Sequence, residues 1–261
     1  MSTEAVLIFG ASGNIGVAAV IAALRSGRHA IAVVRSENSA DSLRTTAAGL
    51  ISRDKLDRLT VLVADLSTVQ GYKDVVARAI QSGGKGSHGF QHVWSSMGGD
   101  YLETPLLELE RDFMRDMLIR NFEPNLLAYQ ATMPHLLSLP ADADATYTMC
   151  TGSQGIIGER AQPAMIQGAL FSMATVACRD NEATNVRFNE VYLAYRVQID
   201  ASENPYGIPD IMSSSDFGKA YEQILDGDGK GTMSCRMLVE EHADIDKVRF
   251  EKKPPNVRHS G

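Results

Sequence analysis

Residues 8–16, Ile-Phe-Gly-Ala-Ser-Gly-Asn-Ile-Gly, place three glycines between two apolar segments, and this arrangement constrains the fold more than any other stretch. Ala5–Phe9 is continuously apolar, as a buried parallel strand is, and Val17–Leu24 has the composition of a helix. A glycine turn between a strand and a helix predicts a dinucleotide site, because the helix N-terminus can then bind a pyrophosphate. An ordinary strand-to-helix turn is the alternative. The predicted contacts are Gly10, Ser12, Gly13, Asn14, Ile15 and Gly16.

The composition favours one α/β domain over residues 1–261. With 44% hydrophobic residues the chain can bury a sizeable core, and no linker-like or strongly charged stretch divides it. Apolar strands alternate with helical segments along the chain. The predicted fold is therefore a single Rossmann-like, doubly wound parallel sheet with helices on both faces.

The net charge and the hydropathy of the chain limit the classes of molecule that it can be expected to bind. The net charge of -7 argues against a nucleic-acid surface, and no apolar run is long enough to span a bilayer. We therefore expect a bulky small-molecule substrate and neither a membrane nor a nucleic acid as partner. The first strand follows Met1-Ser-Thr-Glu directly, and the three cysteines lack metal-ligand spacing. Both features predict a cytoplasmic protein with buried thiols, no signal peptide and no metal.

The end of the second predicted strand, His29–Val34, decides the form of the cofactor. An acidic residue at this point would bind the adenosine ribose 2′-OH, whereas an arginine with a neighbouring hydroxyl suits a 2′-phosphate. Arg35 and Ser36 stand here and predict NADP(H). Glu37 keeps NAD(H) open as the alternative.

The ends of the next two predicted strands supply further candidate contacts. Asp65 and Leu66 follow Thr60–Ala64, and the aspartate either bonds the adenine amino group or caps the next helix with Ser67. A second small-residue turn follows the strand predicted over Gln91–Trp94. Because parallel strands end at one edge of the sheet, this turn should face the first across the cofactor crevice. Its residues are Ser95, Ser96, Met97 and Gly98.

Helical patterns are predicted over Leu43–Leu59, Leu106–Leu139 and Pro163–Asn181. Pro124 interrupts the longest of them, beside the polar cluster Arg120–Asn125, which is either part of a site or a solvated kink. Proline, serine and glycine in about 198–215 predict a mobile segment that covers the substrate. The tail from about residue 252 is expected to be frayed.

These features together resemble the short-chain dehydrogenase/reductase family over nearly the whole chain. The three glycines of the first turn match the family's glycine motif in the spacing of its atypical members, and Ser95–Gly98 stands where the family has Asn-Asn-Ala-Gly. Asn121 matches the family's helix-four asparagine. The resemblance implies an NADP(H)-dependent oxidoreductase. It also implies a homodimer or homotetramer that pairs the helices Leu106–Leu139 and Pro163–Asn181.

The family's catalytic Tyr-x-x-x-Lys motif is absent. Anchoring on the Gly-Ala-Leu of the same helix puts Pro163 at the tyrosine position and Gln167 at the lysine position. No tyrosine lies between residues 147 and 192, and no lysine between 85 and 219. In the family the tyrosine protonates the carbonyl oxygen, so its loss argues against ordinary alcohol–ketone chemistry. Gln167 can still bond a ribose hydroxyl of the cofactor.

An iminium carbon accepts hydride without a proton donor, so a reductase of such substrates can dispense with the tyrosine. The chain resembles in part the fungal bifunctional reductase/Diels-Alderases of bridged indole-alkaloid pathways, which lack the tyrosine and use an arginine in helix four. Arg120 matches that arginine, and the loop after the fifth strand offers Glu159 as a carboxylate. The family's serine falls on Thr151 or Ser153. The resemblances imply Arg120, Glu159, Ser153 and Asn121 as catalytic candidates.

Three functions stay open at this stage. The first is an NADP(H)-dependent enzyme of specialised metabolism, such as alkaloid biosynthesis, that reduces an iminium-type group or cyclises a bulky substrate. The second is a cyclase, such as a Diels-Alderase, that uses the cofactor pocket without net redox. The third is a non-catalytic NADP(H)-binding sensor. Polar residues concentrated at the strand ends favour an enzyme.

Overall fold

The computed structural model describes residues 3–83, 88–99, 102, 104–200, 210–226 and 235–253. Within these ranges eight strands form a central sheet. They are β1 (Ala5–Phe9), β2 (His29–Val34), β3 (Leu59–Val63), β4 (His92–Ser95), β5 (Ala145–Gly152), β6 (Val186–Leu193), β9 (Cys235–Val239) and β10 (Arg249–Lys252). Two short strands, β7 (Val197–Gln198) and β8 (Met212–Ser213), pair with each other.

Helices connect these strands. In the described ranges they are α1 (Asn14–Arg25), α2 (Glu37–Leu50), α3 (Arg53–Leu56), α4 (Val69–Ser82), α5 (Arg111–Asn121), α6 (Glu123–Leu137), α7 (Gln154–Ile157), α8 (Ala161–Asp180) and α9 (Ser214–Asp226).

The strand order confirms the predicted Rossmann-like fold. The sheet runs β10-β9-β6-β5-β4-β1-β2-β3, and its strands are parallel except for the antiparallel pair of β9 and β10. β1 pairs with β2 on one side and with β4 on the other, so the strand order reverses beside β1. In parallel α/β sheets a ligand crevice opens at such a reversal, at the carboxyl ends of the strands.

Helices cover both faces of the sheet, and each face has its own buried cluster. On one face α1, α2 and α9 pack around Trp94, whose ring lies 4.4 Å from that of Tyr221. On the other face α4, α5, α6 and α8 pack around Tyr147 and Phe188, whose rings stack 5.4 Å apart. No helix in the described ranges is long and apolar enough to cross a bilayer.

Two predicted helices have different bounds in the structure. Two helices, α2 and the short α3, stand where one helix was expected over Leu43–Leu59. α2 begins earlier than expected because the Ser36 hydroxyl caps it by accepting from the Ser39 amide at 3.2 Å. The pattern over Leu106–Leu139 contains a 3-10 turn, α5 and α6. The break lies at Phe122, and Pro124 stands in the first turn of α6, where no amide hydrogen is needed.

The tail that was predicted to be frayed from about residue 252 has contacts at its first two residues. Lys252 pairs with Cys235 in β10, and the Lys253 ammonium pairs with the buried Glu190 carboxylate. The rest of the predicted tail, 254–261, lies outside the described residues. Of the predicted mobile segment 198–215, residues 201–209 lie outside them as well, and both flanks are tied down, since the Asp200 carboxylate accepts from the Ser215 amide at 3.0 Å.

Candidate functional site

Backbone contacts build the first glycine turn. Gly10 has φ +75°, and its carbonyl accepts from the Gly13 amide at 3.0 Å. A Cβ on Gly16 would stand 2.0 Å from that carbonyl oxygen, so only glycine fits there. Gly13 caps α1 without a side-chain hydrogen bond, and the first turn of α1 holds no acidic residue. The α1 N-terminus therefore presents amides and a positive dipole end that suit a pyrophosphate.

The other predicted phosphate contacts differ in exposure. Ser12 and Asn14 are exposed beside the turn. Ile15 is half-buried and packs against the core, so its side chain supports the turn. The Asn14 carbonyl accepts from the Ser214 hydroxyl at 2.7 Å, which ties the start of α1 to α9.

The turn after β4 contacts the first turn, since a Cβ on Gly10 would stand 2.8 Å from the Ser96 carbonyl oxygen. Two asparagines hold this second turn. Asn121 Oδ1 accepts from the Gly99 amide at 2.8 Å, and Asn125 Nδ2 donates to the Met97 carbonyl at 2.8 Å. The sequence placed Asn125 in the polar cluster Arg120–Asn125 without a specific role, and at 1% exposed it is not part of a solvated kink.

The two serines of this turn serve the turn itself. The Ser95 hydroxyl is fully buried and donates to Asn125 Oδ1 at 2.6 Å. The Ser96 hydroxyl accepts from the Trp94 indole at 2.9 Å. Their predicted role as cofactor ligands stays a prediction, and of the two hydroxyls only that of Ser96 keeps a hydrogen to donate. Gly98 has φ +110°, and a Cβ there would meet Asn121 Oδ1 at 2.7 Å.

A recess of ≈ 20 Å³ lies between the β4 turn, the end of α5 and the start of α8. Pro163 and Gln167, the residues at the tyrosine and lysine positions, both line it, together with Asn121 and Met97. Gln167 Oε1 accepts from the Gly152 amide at 2.7 Å, which fixes this glutamine against the end of β5. The remaining lining residues are Gly99, Gln162, Ile166 and Leu170.

Arg120 does not line this recess. Its side chain is 60% exposed and forms an ion pair with Asp116, one turn earlier on α5, at 2.7 Å. Helical geometry explains the difference, since Asn121 is the residue that α5 turns inward here. The catalytic role of Arg120 remains a prediction that this placement does not support.

The other catalytic candidates lie around α7. The Ser153 amide donates to the Leu193 carbonyl at 3.1 Å, and Ser153 precedes α7 as its cap residue. Glu159 is exposed, and its carboxylate accepts from Nε2 of the Gln154 side chain at 3.5 Å. Thr151 is buried, and its hydroxyl donates to Glu190 at 2.8 Å.

That contact is part of a buried charge cluster that sequence reasoning missed. Glu190 is fully buried, and its carboxylate accepts from Arg236 at 3.1 and 3.2 Å and pairs with Lys253. The Arg236 guanidinium also lies 4.7 Å from the ring centre of Phe171. The cluster joins β6, β9 and the residue after β10, and it draws the Thr151 hydroxyl away from the recess. The available signal was an acidic residue in the middle of the predicted strand Val186–Ala194.

At the adenosine end, Arg35 is exposed just after β2, and its guanidinium has no partner among the described residues. Ser36 is half-buried, and its hydroxyl caps α2. The hydroxyl therefore stabilises this helix whether or not it also binds a phosphate. Asp65 Oδ1 accepts from the Ser67 amide at 2.9 Å, and this bond lowers the pKa of the carboxyl. The cap of α4 is Thr68 rather than Asp65. The neighbouring Leu66 packs against the core.

No protein-family model matches the sequence. The chain is 40% identical to the short-chain dehydrogenase/reductase iacG of Pestalotiopsis fici over 255 residues, 96% of this chain and 97% of that protein. Among solved structures, a chain from Pseudomonas syringae assigned to the short-chain dehydrogenases superposes with a TM-score of 0.74 at 19% identity, covering 91% of this chain and 95% of that one.

A blue fluorescent protein from a metagenomic library, solved in complex with NADPH, superposes with a TM-score of 0.71 at 20% identity over 91% of this chain and 96% of its own. These two structures share the fold with this chain. The identity to the Pestalotiopsis fici protein extends over nearly the full length of both chains. The protein therefore belongs to the short-chain dehydrogenase/reductase family, a family of NAD(P)(H)-dependent oxidoreductases.

Proposed function

We propose that this protein is an NADP(H)-dependent reductase whose hydride acceptor is an iminium-type carbon. The composition of the recess carries the proposal, because Pro163 and Gln167 occupy the positions of the family's tyrosine and lysine. Proline has no side-chain proton to donate, and a glutamine amide does not act as a proton donor near neutral pH. A group that accepts hydride without a proton therefore fits this recess better than a ketone.

NADP(H), which supplies the hydride when bound, fits the residues that are present. The uncapped amides of the α1 N-terminus suit the pyrophosphate, and the exposed Arg35 guanidinium suits a 2′-phosphate. Gln167 keeps its amide nitrogen for a ribose hydroxyl, since its oxygen is engaged by Gly152. The NADPH bound to the metagenomic blue fluorescent protein supports the same cofactor.

The electron balance explains why the tyrosine is dispensable for such a substrate. Hydride addition to an iminium carbon forms a C–H bond and moves the C=N π electrons onto nitrogen, which yields a neutral amine. Hydride addition to a ketone leaves an alkoxide that a general acid must protonate, a step worth ~10²–10⁴-fold. The tasks left to this chain are to bind and orient the two reactants and to exclude water.

A second candidate is a non-catalytic NADP(H)-binding sensor. The recess supports it in one respect, since neither Pro163 nor Gln167 carries a side chain that can donate a proton to a substrate. Cyclisation without net redox, as in a Diels-Alderase, is the remaining alternative. It requires the cofactor for shape alone, and its product has the same oxidation level as the substrate.

The test is an assay of the purified protein with deuterated NADPH and two matched substrate sets, cyclic iminium salts such as dihydroisoquinolinium and the corresponding cyclic ketones. We expect deuterium at the former iminium carbon and none in the ketone set. Comparable ketone reduction would overturn the proposal, and NADPH binding without any turnover would favour the sensor. A metabolite profile of a strain lacking the protein identifies the natural substrate, and an accumulated isomer of the product would indicate cyclisation.

We also propose a homo-oligomer formed through α5, α6 and α8. These helices expose large apolar side chains, including Leu118 at 37%, Ile119 at 57% and Val176 at 59%. Exposed apolar side chains of this size are common at subunit interfaces. Light scattering at micromolar concentration should give a dimer or tetramer mass, and a monomer mass would contradict the proposal.

A further inference from the structure

The recess contains a buried amide whose oxygen is unsatisfied. Gln162, in the first turn of α8, is 1% exposed and lines the recess. Its Oε1 atom has no hydrogen-bond partner among the described residues. An unsatisfied buried acceptor costs about 1–3 kcal/mol, and buried polar groups are normally paired. An unpaired one beside a recess indicates a partner that binds there.

The neighbouring amides of the recess already have partners within the protein. Asn121 Oδ1 accepts from the Gly99 amide at 2.8 Å, and Asn121 Nδ2 donates to the Met117 carbonyl at 2.9 Å. Gln167 Oε1 accepts from the Gly152 amide at 2.7 Å. Among the described lining residues, Gln162 is thus the side chain with an unused buried acceptor.

The order of the strands indicates which part of a dinucleotide reaches Gln162. β2, β1, β4 and β5 lie side by side in that order. Arg35 follows β2, the first glycine turn follows β1, and the recess is built on the turn after β4 and the start of α8. With the adenosine end at Arg35 and the pyrophosphate at α1, the other half is directed towards β4 and β5. That half offers donors, namely its ribose hydroxyls and its carboxamide NH₂.

We propose that Gln162 is a cofactor-positioning residue that accepts a hydrogen bond from the nicotinamide riboside half of NADP(H). This inference rests on the proposed function, because it takes NADP(H) as the bound dinucleotide. The amide is uncharged and releases no proton, so it orients the reacting end without taking part in proton transfer. It supplies a polar contact on the helix where the family's tyrosine and lysine are missing.

The experiment compares two ligands on three proteins by calorimetric titration. The ligands are NADPH and adenosine 2′,5′-bisphosphate, which lacks the nicotinamide riboside half. The proteins are the full chain, Gln162→Met and the control Gln81→Met, which changes an exposed glutamine on α4. We expect Gln162→Met to bind NADPH ~3–10-fold more weakly and the bisphosphate unchanged, as loss of one hydrogen bond predicts. The control should leave both affinities unchanged.

Thermal unfolding without ligand separates a binding role from a structural one. Methionine replaces an unpaired acceptor with an apolar side chain of similar length, so the Tm of Gln162→Met should equal or exceed that of the unchanged protein. A lower Tm, equal losses for both ligands or an unchanged NADPH affinity would each overturn the inference. Gln162→Leu repeats the test with a different shape, and failure of both variants to fold would also overturn it. An unchanged protein that binds neither ligand would instead overturn the proposed function.

Discussion

The two glycine turns at the carboxyl edge of the sheet touch each other but are held by different means. Backbone contacts fix the turn after β1, where the Gly13 amide donates to the Gly10 carbonyl and Gly16 packs against the same oxygen. Side chains from two helices fix the turn after β4, where Asn121 and Asn125 bind Gly99, Met97 and Ser95.

This difference determines what each turn can offer a ligand. A turn built from its own backbone leaves the helix amides behind it free, so the β1 turn can bind an anion directly. A turn held by side chains engages its own polar groups, and the Ser95 hydroxyl is engaged in this way by Asn125. The β4 turn therefore serves as a wall of the recess, to which it contributes Met97 and Gly99.

The largest effect is expected from Gly16→Ala in the backbone-built turn. The added Cβ would stand 2.0 Å from the Gly10 oxygen and 2.8 Å from Ala11 Cα, and backbone atoms cannot yield cheaply. We expect the free energy of unfolding to fall by about 3 kcal/mol, the upper end for an overpacked position, and NADPH binding to be lost. Gly49→Ala is the control, because nothing lies within 4 Å of that Cβ and alanine favours helix α2. Equal stability of the two variants in urea titration would contradict this account of the turn.

A smaller loss of stability is expected from Asn125→Leu, which disrupts the side-chain-built turn after β4. The substitution leaves the Ser95 hydroxyl and the Met97 carbonyl without the partners they have at 2.6 and 2.8 Å. Loss of the partners of one buried hydroxyl and one partly buried carbonyl predicts a decrease of about 2 kcal/mol in the free energy of unfolding, measured by urea titration. The matched control is Asn38→Leu at an exposed position of α2. A loss no greater than that of the control would mean that the turn holds its shape without Asn125.

How far the fold can be predicted from the sequence depends on whether a signal is local. The bounds of β1 and β2 follow from continuous apolar runs, and the β1 turn follows from its glycines. Asn125 was noticed as part of a polar cluster, but its contact with Ser95 was not predicted because the two residues lie 30 positions apart in sequence. β10 escaped notice because its four residues are exposed at the sheet edge and show no apolar pattern.

At the candidate site, residue positions were predicted better than side-chain directions. Alignment with the family placed Pro163 and Gln167 together, and both line the recess. It also placed Arg120 beside Asn121, yet successive residues of a helix point about 100° apart, so only one of them can face inward. Ser36 was predicted only as a phosphate ligand, and the structure shows that its hydroxyl also caps α2.

A smaller effect is expected from Arg35→Ala. This variant tests which dinucleotide binds at the backbone-built turn after β1 and leaves the stability of that turn unchanged. The exposed guanidinium can pair with a 2′-phosphate, so its loss should weaken NADPH binding by about tenfold or more, equivalent to ~1.5–3 kcal/mol, and leave NADH binding unchanged. Arg44→Ala, at another exposed arginine nearby on α2, should change neither affinity. Calorimetry that gives equal losses for the two cofactors would indicate that Arg35 does not recognise the 2′-phosphate.

The smallest effect is expected from Arg120→Ala, next to the asparagine that holds the side-chain-built turn. The partial resemblance to the bifunctional reductases predicts a catalytic arginine, and loss of a charge-stabilising contact would cost ~2.7–4 kcal/mol, about 10²–10³-fold in turnover. In the structure the guanidinium is 60% exposed and pairs with Asp116, so we expect turnover within about twofold and stability within ~0.5 kcal/mol. Arg115→Ala, an exposed arginine on the same helix, is the control. Asp116→Ala completes the comparison, because it releases Arg120 without removing it. A hundredfold loss in Arg120→Ala with full turnover in Asp116→Ala would show that the arginine turns into the site during the reaction.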